Sequence, residues 1–128
     1  METINHEYYV SFEVAKLLEQ AGFDWEVEYV YNFCKLIRSV AYPILENELA
    51  APTLEVAQRW FREVKNIQII VSPLAGNKKW TSLICKDFWL LHEDLDGIAL
   101  THENFDIYEL ALESGIKKAL EIILEKGE

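Results

Sequence analysis

The sequence predicts an α+β domain: a small antiparallel sheet, built from a hairpin plus one or two further strands, with three or four helices packed on one face. Three observations carry that expectation. Helical apolar stripes with recognisable caps begin near residues 11, 53 and 106. Alternating or continuous apolar runs lie between them, at 25–31, 67–71 and 80–85. Only five Gly and three Pro leave little material for a linker, so residues 1–128 read as one domain.

Ser11 is placed as the N-cap of the first helix, with Val10 and Ala15 as a small staple. Phe12, Ala15, Leu17, Leu18 and Ala21 give it an apolar stripe. Gly22 is a left-handed terminator, beyond which Phe23 folds back onto Leu18. At 25–31 the period changes, since Trp25, Val27, Tyr29 and Tyr31 alternate with Glu26, Glu28 and Val30, as in a strand. Phe33, Leu36, Ile37, Val40 and Ala41 then return to helical spacing, with Asn32 as a cap. Regular helix should stop at Tyr42, before Pro43.

Thr53 after Pro52 opens a further helix. Leu54, Ala57, Trp60, Phe61 and Val64 are expected on its buried side, and Glu55, Arg59 and Glu63 step along another at intervals that support a helix. Asn66 is a suitable exit. Ile67–Val71 reads as a buried strand, residues 72–77 as a loop and Trp80–Cys85 as the second arm of a hairpin. Phe88–Leu91 is a candidate third strand, with a turn at 93–97 leading to Ile98–Leu100. The last helix begins with an Asp106/Glu109 capping box and a Phe105/Leu110 staple. Tyr108, Ala111, Leu112, Ile116, Ala119, Leu120 and Ile123 form its broad apolar face, and Gly127 is placed to end it. Gly115 inside that helix costs about 1 kcal/mol against Ala, which suggests that another backbone approaches closely there, the alternative being a tolerated accident.

Charge is distributed unevenly. Residues 1–50 hold nine acids and three bases, residues 51–85 two acids and five bases, and residues 86–128 eleven acids and four bases. A segment of charge +3 thus sits between segments of −6 and −7 in a chain of net charge −10. Such an island either pairs with the protein's own acidic elements or receives an anion. The total charge argues against nonspecific binding to nucleic acid, whose phosphates would be repelled. No basic n-region or apolar h-region is found at the start, and no uncharged run is long enough for a membrane span, so a cytoplasmic protein is expected. Cys34 and Cys85, both within apolar stretches, read as buried reduced thiols rather than as a disulfide.

No motif fixes a reaction. His6, His92 and His102 are each followed by Glu, yet no His-Glu-x-x-His or Cys-x-x-Cys occurs, and no metal site or cofactor is expected. Asp94-x-Asp96-Gly97 resembles the start of a calcium loop but lacks the later ligands, and an Asp/Gly turn explains it. A phosphate loop and a Gly-x-Ser-x-Gly elbow are both missing. Twenty-two acids make a carboxylate pair uninformative. The candidate ligand-binding residues are therefore Arg59, Arg62, Lys78, Lys79 and Trp80, where cations beside an indole could hold an anion and stack a base. Trp25, Tyr29 and Tyr31 form a second candidate pocket wall. Trp60 reads as core.

Ala-Pro-Thr-Leu-Glu-Val-Ala-Gln-Arg-Trp-Phe-Arg-Glu-Val-Lys-Asn-Ile at 51–67 resembles a Pro-Thr…Ala-x-x-Trp-Leu-Arg-Glu-Val…Asn-Ile segment of small uncharacterised proteins from phages and prophages of Bacteroidota. Phe61 stands where Leu is commoner. Residues 9–18 and 108–116 are similar to the flanking helices of that group. The resemblance implies a mobile-element source and an accessory role, and it transfers no functional residue. The leading expectation is a non-enzymatic binding protein that sequesters a host protein or a small anionic, nucleotide-like ligand. Behind it stand a homo-oligomeric structural or interaction protein and an acidic mimic of nucleic acid, with a small nucleotide-processing enzyme last.

Overall fold

The computed structural model describes residues 8–39, 44–74, 76, 78–86, 98–100 and 104–125. In chain order these form α1 (Phe12–Gln20), β1 (Tyr29–Asn32), β2 (Lys35–Arg38), β3 (Glu48–Ala50), α2 (Leu54–Trp60) with a π-helical turn directly after it (Phe61–Lys65), β4 (Ile67–Leu74), β5 (Lys79–Lys86), β6 (Ile98–Leu100) and α3 (Tyr108–Glu125). The class is α+β, but the strands divide into two antiparallel sheets instead of one, ordered β2-β1-β3 and β4-β5-β6. The expected strand at 88–91, the turn at 93–97, the chain stop at 42–43, the exit at Gly127 and all three histidines lie outside the described residues.

The local signals around α1 act as their chemistry dictates. Ser11 Oγ accepts the Val14 N–H at 3.2 Å, which satisfies one of the helix's open donors. Gly22 takes φ +96°, and the Phe23 N–H returns to the Leu18 carbonyl at 3.0 Å. Thr53 caps α2 in the same manner, accepting from Val56 N–H at 3.2 Å. Asn66 ends the π turn in the left-handed region, φ +62°, and donates to Phe61 O.

The expected helix over 33–41 is not formed where the chain is described. Asn32 pairs with Lys35 across a two-residue turn, Phe33 (φ +52°) and Cys34 (φ +68°), and Lys35–Arg38 runs back along β1. Two consecutive positive φ values are what a tight hairpin needs, normally supplied by Asn and Gly. Phe-Cys gives no such signal, so the turn was hidden. Splitting Leu36 and Ile37 across two faces is acceptable here because both faces of this sheet bury side chains: Tyr29 and Leu36 on one, Val30 on the other. Cys34, expected in the core, is exposed at the turn, whereas Cys85 is buried. Both thiols are free.

Two further corrections concern α2 and the hairpin. Val64, expected on the buried side, is 51% exposed. The π turn winds each residue through a smaller angle than an α-helix does, so Val64 falls short of the face that holds Trp60 and Phe61. The loop expected at 72–77 is shorter, since β4 continues through Ser72 and Pro73 to Leu74. Proline is tolerated there because β4 is an edge strand.

α3 packs on the β4–β5 hairpin, against α1 and against α2. The core joins Leu18 of α1, Trp60 and Phe61, Ile69 and Ile84 of the hairpin, and Leu112, Ile116, Leu120 and Ile123 of α3. Each such side chain contributes about 1.5–3 kcal/mol when fully buried. Gly115 marks the point of closest approach. A Cβ there would stand 2.8 Å from Ile69 Cγ2 and 3.0 Å from Ser82 Cβ. The approaching atoms are hairpin side chains and not the expected backbone, so the glycine in α3 has a packing reason of a different kind. Asp106 does not cap the helix. Its carboxylate binds Lys79 Nζ at 2.5 Å, and the first-turn bond runs from Ala111 N–H to Ile107 O at 3.4 Å. Lys79 reaches Asp106 because the chain before α3 forms a bridge with β5, Trp80 and Phe105 exchanging backbone hydrogen bonds of 2.8 and 2.9 Å.

Candidate functional site

The basic segment folds into two separate places. Arg59 lies in α2, its guanidinium 5.1 Å from the Trp25 ring centre and its Nε 3.6 Å from Glu63 Oε2. Beyond it, the Lys65 ammonium stands 5.6 Å from the ring centre of Trp60. Arg62 is half-buried in the π turn between them. Contacts of this kind are worth about 0.5–1 kcal/mol at exposed sites. They hold two flexible cations in fixed places, so less side-chain freedom remains to be lost on binding. Trp60 itself is core, 1% exposed, tilted against Phe23 and edge-on to Phe61.

Lys78, Lys79 and Trp80 stand at the other end of the hairpin. Lys78 is exposed, with φ +58°. Lys79 is held by Asp106, and Trp80 packs edge-on to Tyr108 of α3 at 5.4 Å. Gln58, next to Arg59, donates to Ile69 O at 2.6 Å, while Lys79 pairs with Leu74. Ile69 and Leu74 are five residues apart on one strand, about 17 Å at roughly 3.3 Å per residue. Arg59, Arg62 and Lys65 thus follow one another along α2 and its π turn. The structure does not bring Lys78, Lys79 and Trp80 to them.

Tyr29 and Tyr31 share one face of the first sheet, with Tyr31 packed against the cluster of Tyr29 and Leu36, whereas Trp25 lies outside the strand. Trp25 precedes β1 and packs with Phe23 and under Arg59. Tyr29 is buried between Tyr9, at 5.2 Å edge-on, and the Arg38 guanidinium, at 5.1 Å. Tyr31 meets Phe12 edge-on at 5.6 Å and donates its hydroxyl to Val10 O at 2.7 Å. Burial, and then the nearby charge of Glu113, raise the Tyr31 pKa above its ordinary value. Burial likewise raises that of the Cys85 thiol.

Sequence reasoning missed the concave site. A groove of about 380 Å³ opens between the first turns of α2 and α3, with Tyr8 and Tyr108 as walls, Leu54 and Leu112 beneath, and Thr53, Glu55, Gln58 and Glu109 completing it. Its residues come from three distant stretches of chain, and only their meeting in space makes them a site. Among the described residues, no group of three or more His, Cys, Asp and Glu side chains converges as a metal site. No described helix is long and apolar enough to cross a membrane. No protein family, characterised protein or solved structure matches this chain.

Proposed function

We propose that this chain is a non-catalytic binding protein that docks an acidic segment of a protein partner on the cationic face of α2 and its π turn. The observation that carries this reading is the pair of cation–indole contacts, Arg59 on Trp25 and Lys65 on Trp60, which pre-position charge along one short stretch. Arg62 lies between them, and Val64, 51% exposed, offers apolar contact in the same turn. A small nucleotide-like ligand is the weaker reading. The elements that carry the expected clamp meet β4 at Ile69 and at Leu74, backbone positions about 17 Å apart, and both Arg59 and Lys79 already have a carboxylate partner. The groove that has ligand dimensions is lined by carboxylates, which repel an anion. The resemblance to phage and prophage proteins suggests a host protein in the cytoplasm as the partner.

A glutamate-rich peptide tests the reading, followed by tryptophan fluorescence because both cations lie over indoles. Binding should be saturable, weaken as salt rises from about 50 to about 300 mM, and be lost in Arg59→Glu/Arg62→Glu. Indifference to the double reversal would refute it. A thermal shift of several degrees with nucleotides and none with the peptide would restore the small-anion reading. Salt-sensitive self-association abolished by the same reversal would make the partner a second copy of the chain.

A further inference from the structure

The geometry points to a second, independent site: the groove between α2 and α3 receives an alkylammonium group, with its hydrocarbon on Leu54 and Leu112 and its nitrogen between Glu55 and Glu109. The size fits, since about 380 Å³ lies within the usual range of small-molecule pockets. The floor is apolar, formed by the buried side chains of Leu54 and Leu112. Two tyrosines, Tyr8 and Tyr108, are among the lining residues, and aromatic rings attract cations.

Glu55 and Glu109 lie in the first turns of their helices. There each carboxylate faces a helix N-terminus equivalent to roughly +0.5 charge. Two carboxylates against two such termini leave about −1 in the groove, so the helix ends weaken the negative field without reversing it. Neither carboxylate has a salt-bridge or hydrogen-bond partner among the described residues. Two further polar groups of the lining are already engaged: Thr53 Oγ1 caps α2, and the Gln58 amide donates to Ile69 O. The chain's net charge of −10 further concentrates cations near the surface. An alkylammonium satisfies all three parts of the lining at once. A hydrated metal ion would leave the leucine floor unused.

The same chemistry occurs in a free aliphatic polyamine and in a lysine side chain, so the probes are spermidine and a lysine-containing tripeptide with blocked ends. Calorimetry at about 150 mM salt with about 5 mM Mg²⁺ present removes nonspecific attraction to an acidic protein. The expected result is one-to-one binding of at least one probe, weakened tenfold or more in Glu55→Gln/Glu109→Gln and unchanged in Glu19→Gln/Glu121→Gln. Which probe binds more tightly distinguishes a free amine from a protein tail. Binding that Mg²⁺ abolishes, that has no defined stoichiometry, or that survives the Glu55/Glu109 exchange would overturn the proposal. All four exchanged glutamates lie on helices, and Gln is close to Glu in helix preference, so folding should be preserved. Melting curves of each variant verify this.

Discussion

Replacing Gly115 by Ala is the sharpest perturbation of the fold. In an exposed helix it would stabilise by about 1 kcal/mol, through propensity alone. In α3 the new methyl would stand 2.8 Å from Ile69 Cγ2, closer than real Cβ contacts, and 3.0 Å from both Cβ and Oγ of Ser82. Ser82 is fully buried and Ile69 nearly so, which leaves little room for either to move. Overpacking a tight core costs about 1–3 kcal/mol, so the clash should outweigh the propensity gain, for a net loss of about 1 kcal/mol. Urea denaturation followed by far-UV circular dichroism measures it, the midpoint shifting with little change in slope. A second variant locates the cause. Ile69→Ala alone should cost about 2–5 kcal/mol. In the double variant the methyl introduced by Gly115→Ala enters the vacated space, so the combined loss should fall short of the sum by about 0.5–3 kcal/mol. Stabilisation by Gly115→Ala, or strict additivity, would refute the packing of α3 on the hairpin.

Leu120→Ala, at a fully buried position of α3, should cost about 2–5 kcal/mol, and a loss below about 0.5 kcal/mol would show that this face is not core. Tyr31→Phe should lose about 0.5–1.5 kcal/mol at neutral pH with the hydrogen bond to Val10 O. Because the folded-state Tyr31 pKa is raised, its contribution is complete below the ordinary value near 10 and is lost as pH rises through the folded value, so the gap between wild type and Tyr31→Phe should narrow in alkali. A gap that widens above about pH 10 contradicts that assignment. Cys34→Gly should stabilise the β1–β2 turn by about 1 kcal/mol, since the left-handed region penalises an L side chain at φ +68°; destabilisation would argue against the hairpin. Lys79→Ala and Asp106→Ala should each cost less than about 1 kcal/mol, as exposed pairs do, and the double variant should cost less than the two together.

Much of the fold was legible wherever one residue type has one physical use. Ser11 and Thr53 announce caps, Gly22 and Asn66 announce left-handed exits, and Gly115 announces a close approach. Legibility failed where geometry was imposed against local preference. Phe33 and Cys34 hold a turn that neither favours, so β2 looked helical. The π turn changed the winding after Trp60, so an α-helical period placed Val64 inside. Asp106 carries a cap signature, yet its carboxylate turns to Lys79, a cation that sequence spacing could not place. The candidate site behaved likewise. The charge of residues 51–85 was plain, but Lys78 and Arg59 are divided by the length of a strand. The Tyr8–Tyr108 groove depends on distant stretches of chain meeting, which no local pattern encodes.

The most direct test of the proposed binding face is residue-level mapping of where an acidic ligand lands. Amide and indole resonances of the ¹⁵N-labelled protein, titrated with a glutamate-rich peptide at about 50 mM salt, should shift at Arg59–Lys65 and at the Trp25 indole, with the Tyr8–Tyr108 groove silent. Shifts confined to Lys78–Trp80, or none at saturating peptide, would contradict the account.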